Sequence, residues 1–115
     1  MNWNLLAEEA QLEAIRAESQ EHPVMIFKHS TRCSISSMAL SRMERNWKGE
    51  EAADTAPYLL DLIANRSLSS AVAAEFGVQH QSPQVLLISK GICVYDASHY
   101  DISFGDISEQ VAVTK

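Results

Sequence analysis

The sequence predicts an α/β fold: a four-stranded mixed sheet, made of a parallel pair plus an antiparallel hairpin, flanked by helices. Three observations carry this. The unbroken apolar run Val24-Met-Ile-Phe27 suits a strand covered on both faces. A helical pattern then separates it from a second apolar run, Pro57-Tyr-Leu-Leu-Asp-Leu-Ile63, and strand–helix–strand order implies a parallel pair with a right-handed crossover. Finally, Gln84-Val-Leu-Leu-Ile-Ser89 and Ile92-Cys-Val-Tyr95 are parted only by Lys90-Gly91, a spacing that makes an antiparallel hairpin.

In chain order, Asn4 reads as the N-cap of a first helix with Glu8 and Glu9 near its positive end. Leu5, Leu12 and Ile15 follow roughly helical spacing, and Gln11 to Gln20 should be its best-formed part. His22-Pro23 closes it, since the residue before proline avoids the helical region. The strand Val24 to Lys28 runs into the polar turn His29-Ser30-Thr31. Cys33 then stands at the first turn of a helix whose apolar positions Ile35, Met38, Ala39, Leu40 and Met43 extend to about Asn46. Trp47 to Thr55 is a polar connection with Gly49 as a stop. After the second strand, Ser67 reads as an N-cap, Leu68, Val72, Ala73 and Phe76 as one apolar face, and Gly77 as the C-terminal signal. Val78 to Gln81 is a connection. Ser98 to Asp101 is a loop after the hairpin, and Ser103 or Asp106 caps a last helix with Ile107 and Val111 facing inward.

A chain of 115 residues, 46% of them apolar, fits one domain over 1–115 with a core of its own. The net charge of −6 comes without a basic stripe, which excludes phosphate-backbone binding as the main task. The longest apolar run is far short of a membrane span, and Met-Asn-Trp-Asn lacks the pattern of a signal peptide. A cytoplasmic, reducing location is therefore expected, with no membrane partner. Cys33 and Cys93 lie far apart and the four histidines are scattered, so no metal site is expected.

The chemistry concentrates at Cys33. A thiol at a helix start sits in the positive end of the helix dipole beside unpaired backbone N–H groups, and Arg32 adds a permanent positive charge. Both favour the thiolate, the form that acts as a nucleophile. Ser36, three residues on, either donates a hydrogen bond to that thiolate or serves only as an early-helix residue. Cys93, between Ile92 and Val94, reads as structural. His29 and His80 are candidates to flank the site, with a structural role equally open.

The order strand, cysteine helix, strand, helix, X-Pro, hairpin and final helix resembles the thioredoxin-like superfamily over nearly the whole chain. Cys33 at the strand–helix turn, Ser36, Gly77-Val78 and Pro83 all fall where that superfamily places such residues. Locally, Phe27-Lys-His-Ser-Thr-Arg-Cys-Ser-Ile-Ser36 and Gln81-Ser-Pro-Gln-Val85 resemble the bacillithiol-system YtxJ group of monothiol, glutaredoxin-like proteins. Members of that group usually carry proline after the cysteine, where this chain has Ser34. The resemblance implies thiol–disulfide exchange at Cys33, with a low-molecular-weight thiol (bacillithiol or glutathione) as co-substrate rather than a tightly bound cofactor. The partners implied are S-thiolated client proteins, in a stress response, with the chain a monomer or weak dimer. It further implies that Pro83 is cis and lays the Ser82 backbone beside Cys33. Lys28 and Arg32 would attract the carboxylates of the small thiol, with Thr31 completing the binding residues. Two alternatives stand beside this reading. One is a non-catalytic thioredoxin-like binding or stress-response module whose cysteine is modified but not cycled. The other is an iron–sulfur carrier, disfavoured because Cys33-Ser-Ile-Ser36 replaces the Cys-Gly-Phe-Ser of such glutaredoxins.

Overall fold

A computed structural model describes residues 1–114. The elements run β1 (Asn4–Leu5), α1 (Gln11–Glu18), β2 (Val24–His29), α2 (Ser34–Asn46), α3 (Glu50–Ala53), β3 (Ala56–Asp61), α4 (Arg66–Phe76), β4 (Gln84–Ser89), β5 (Ile92–Ser98) and α5 (Phe104–Thr114). One turn of 3₁₀ helix, His99–Asp101, joins β5 to α5.

The sheet has five strands rather than the expected four, in the order β1-β3-β2-β4-β5. The parallel pair and the antiparallel hairpin are both present: β2 runs parallel to β3 and antiparallel to β4, and β4 pairs antiparallel with β5. The added strand is β1, where a helix start was expected. Asn4 and Leu5 pair in parallel with Tyr58 and Leu59 instead. The helix is delayed to Gln11, whose side chain organises the turn before it. Gln11 Oε1 accepts the N–H groups of Ala7 (2.8 Å) and Glu8 (2.9 Å), and Nε2 donates to the Leu5 carbonyl.

Alternation along β2 divides the core. Val24 and Ile26 face α1 and α4, packing with Ile15, Leu68 and Val72 and with Leu86 and Ile88 of β4. Met25 and Phe27 face α2 and α5, packing with Ala39, Met43, Ile107 and Val111 and with Val85 and Leu87. All six residues of β2 are buried, as the unbroken apolar run predicts for a strand covered on both sides.

Several boundaries move for local reasons. β3 ends at Asp61, because its carboxylate accepts the N–H of Ile63 at 3.1 Å and turns the chain out of the strand. Helix α4 accordingly begins at Arg66 with Asn65, not Ser67, as the flanking residue. Gly77 does terminate it, at φ 66°. The Trp47–Thr55 connection contains the short helix α3, and Gly49 precedes that helix rather than stopping one. In the hairpin, Lys90 (φ 54°) and Gly91 (φ 79°) form the turn with both residues left-handed. Its tip is tied to α1, the Gly91 N–H donating to Ser19 Oγ at 2.9 Å. Strand β5 runs on to Ser98, beyond the expected end at Tyr95, because Ala97 and Ser98 still pair with Val85 and Gln84.

Candidate functional site

The site forms where β2 leaves the sheet. Cys33 is the residue immediately before α2, in extended conformation and half-buried. Its backbone is held from both sides: its N–H donates to the Ser30 carbonyl at 3.1 Å, and its own carbonyl accepts the Ser37 N–H at 3.0 Å. The first amides of α2 have no partner within the helix, so the thiol stands at a helix start whose partial charge is positive. Thr31 and Arg32, in the same loop, are exposed.

Ser36 is fully buried. Its hydroxyl accepts the Ser30 N–H at 3.0 Å and lies 2.6 Å from Nδ1 of His29. His29 continues the Met25–Phe27 face of β2, which explains why its ring meets α2. Burial pushes its imidazole below the ordinary histidine range, against the opposing pull of Asp61 and Glu44.

Lys28 continues the other face of β2. Read from the sequence as a cation meeting a small thiol, it is 0% exposed, with Nζ 3.2 Å from Nδ1 of His80. The same His80 nitrogen lies 3.0 Å from Ser69 Oγ on α4. Burial pulls the Lys28 ammonium down to about 8, and desolvation followed by the Lys28 charge lowers His80. His80 itself is exposed, so the cluster joins a fully buried lysine to a histidine at the surface.

The second wall is the segment before β4. The Ser82–Pro83 peptide is cis, as the resemblance implied. Gln84 sits opposite Lys28 in the β2–β4 register, which places Pro83 beside the same end of β2. The Pro83 carbonyl accepts the His99 N–H at 3.0 Å. Ser82 Oγ is buried without a hydrogen-bond partner among the described residues. Sequence reasoning missed the brace behind this wall. The buried Gln84 side chain donates to the Gln79 carbonyl at 3.0 Å and accepts the Gln81 N–H at 3.4 Å, pinning the loop. A polar residue opening an apolar strand is the signal that pointed to it.

Cys93 lies elsewhere. It pairs with Ile88, which pairs with Val24, at the far end of β2 from His29. Five residue steps along the strand separate those ends, roughly 16 Å. Its thiol donates to the Tyr95 carbonyl at 3.3 Å, and burial pushes the thiol up. Among the described residues no three His, Cys, Asp or Glu side chains gather as a metal site, and no helix is long and apolar enough to cross a membrane.

Comparison with known proteins agrees with this architecture. A solved structure titled as a proposed oxidoreductase with a thioredoxin fold is 28% identical, with a TM-score of 0.78 over 91% of this chain and 89% of that one. Thioredoxin from Malassezia sympodialis has the same fold at 13% identity, with a TM-score of 0.78 over 96% of this chain and 91% of its own. Fasciola hepatica thioredoxin does so at 20% identity, with a TM-score of 0.72 over 97% and 99%. The fold is thus thioredoxin-like, as the order of elements implied. The family model described as monothiol bacilliredoxin BrxC matches residues 4–107, covering every element from β1 into α5. That family and this fold support a monothiol redox role and a thiol-based interaction with a small thiol. With Cys33 at the helix start and Ser36 where a second cysteine would stand, the chain belongs to the monothiol bacilliredoxin family.

Proposed function

We propose that the protein removes small-thiol adducts from client proteins by one-cysteine exchange at Cys33, with bacillithiol or glutathione as co-substrate. The observation that carries this reading is the pairing of a half-buried Cys33 with a buried, hydrogen-bonded Ser36, which cannot close a disulfide. The Cys33 thiolate attacks the small-thiol sulfur of a mixed disulfide. The S–S bond between the client's sulfur and the small thiol breaks, the client leaves as a thiolate that takes a proton from water, and the small thiol is now disulfide-bonded to Cys33. A second small thiol, as its thiolate, attacks that disulfide; it leaves as the symmetric disulfide and Cys33 is restored. Each step exchanges one disulfide for another, so the net reaction moves the disulfide from the client to the small thiol and consumes one free small thiol for each adduct removed.

The binding roles follow from position. The Ser82 backbone before cis-Pro83 offers N–H and C=O groups to an extended ligand beside the cysteine. Arg32 and Thr31 meet the ligand from the exposed loop, Arg32 by attraction to its carboxylates. Lys28 acts from behind this wall, its charge reaching the ligand through the His80 side of the cluster. The clients are S-thiolated proteins of the cytoplasm during oxidative stress.

The test is transfer. The reduced protein is mixed with a bacillithiolated or glutathionylated protein and both chains are followed by intact mass. Loss of the adduct from the substrate, its appearance on Cys33, and turnover on adding free small thiol are expected. An adduct that never leaves the substrate overturns the reading. An adduct that reaches Cys33 but is not released by small thiol favours the module with a modifiable, uncycled cysteine.

A further inference from the structure

Ser36 and His29 are joined by a short, buried hydrogen bond. A serine hydroxyl has one proton and two lone pairs. Ser36 Oγ uses one lone pair on the Ser30 N–H, at 3.0 Å, and meets His29 Nδ1 at 2.6 Å. Burial favours the neutral imidazole, and in its tautomer with the proton on Nε2 the bare Nδ1 accepts the hydroxyl's hydrogen bond. In that state no proton is left for Cys33. Meanwhile the Ser30 carbonyl accepts the Cys33 N–H at 3.1 Å. Both backbone groups of Ser30 are thereby engaged, one by the buried side chain of α2 and one by the cysteine's own backbone. The chain of bonds runs His29–Ser36–Ser30–Cys33, from the end of β2 through the first turn of α2 to the nucleophile. The His29 carbonyl is held as well, accepting the Leu62 N–H at 2.9 Å, so the latch is anchored to the segment after β3.

We infer that His29 and Ser36 are positioning residues, a buried latch that clamps the Ser30–Cys33 loop onto the start of α2. This rests on Cys33 being the attacking thiol. Through the loop, the latch sets the angle at which Cys33 meets a bulky mixed disulfide, without contact between Ser36 and the sulfur. A small alkylating reagent needs no such orientation.

The variants Ser36→Ala, His29→Leu, His29→Asn and the double variant S36A/H29L separate the possibilities, all carrying Cys93→Ser. Three quantities are measured: amide hydrogen exchange at Ser30 and Cys33, single-turnover transfer from a glutathionylated protein, and alkylation of Cys33 by iodoacetamide. S36A is expected to speed exchange of the Ser30 amide and to slow transfer, each by about tenfold, the worth of one buried hydrogen bond. Alkylation should change by less than about twofold, a difference within the scatter of neutral substitutions. H29L should act in the same direction, the double variant should be no worse than S36A, and H29N, which keeps an acceptor near the Nδ1 position, should recover most of the transfer rate. A Ser30 amide that stays protected in S36A overturns the inference, as does multiplication of the two single effects in the double variant. Alkylation falling in step with transfer also overturns it, because Ser36 would then act on the thiolate itself. Should the unmutated latch transfer no adduct at all, the proposed function fails, while the Ser30 amide protection still reports on the latch.

Discussion

The two ends of β2 are equally buried and chemically opposite. At the Val24 end, Val24 pairs with Ile88 and Ile88 with Cys93, and the hairpin turn is tied down on Ser19. At the other end, Lys28, His29, Ser36 and Gln84 are buried polar side chains. Burying polar groups costs free energy unless they are hydrogen-bonded, and each of these four has a partner. Burial therefore does not distinguish the site from the core. What distinguishes it is that the interior at this end holds groups that bond, titrate and aim a loop. The two cysteines divide accordingly. Cys93 shares the apolar end and has its thiol pushed up by burial, while Cys33 lies next to the polar end at a helix start.

Five substitutions can break or sharpen this contrast. Cys33→Ser should reduce adduct transfer to background, whereas Cys93→Ser should leave it within about twofold, a surface-like effect. Equal losses from both, measured by intact mass, would end the assignment of chemistry to one end of the strand. Ile88→Ala, at the apolar end, should cost about 3 kcal/mol in urea unfolding through the cavity it leaves, with transfer unchanged where the protein is folded. Lys28→Met should do the reverse, stabilising the protein near neutral pH and weakening substrate binding. The folded Lys28 sits near 8 against 10.5 for a free lysine, so between those values the unfolded chain binds more protons and wild-type stability rises with pH. The advantage of K28M should thus be about 1–2 kcal/mol at pH 7, after allowance for solvent screening beside His80, and shrink toward pH 10. Denaturant midpoints measured across that range check the sign. Gly91→Ala should be the mildest change, about 1 kcal/mol, since φ 79° is unfavourable for a residue with a Cβ. Its Cβ would also come within 3.4 Å of Gln20 Nε2, while transfer at the distant Cys33 should not respond.

Much of the fold is legible because it is periodic. The run Val24–Phe27, the spacing of Ile35, Ala39 and Met43, and the Lys90-Gly91 turn each carry a local signal that the packed structure keeps. The failures are short or contextual. Two-residue β1 and four-residue α3 are too brief to show any period. Asn4 resembles a helix cap because acidic residues follow it, but pairing with Tyr58 and the side chain of Gln11 outweigh that preference. Within the site, the positions of Cys33, Ser36 and Pro83 were readable from spacing and resemblance. The partners of Lys28 and His29 were not, although alternation along β2 implies that they face opposite sides.

By itself the sequence determined the order of the longer elements, the helix start that carries Cys33, and the absence of a second cysteine within that turn. Those features depend on residues a few positions apart, where backbone geometry relates pattern to structure directly. Only the tertiary structure decided that Lys28 is buried against His80, that Gln84 braces the loop before cis-Pro83, and that Ser36 is engaged by His29 and Ser30. Which donor meets which acceptor depends on where α2, α4 and the segment before β4 pack against one strand end, and the sequence pattern of each segment alone does not specify it.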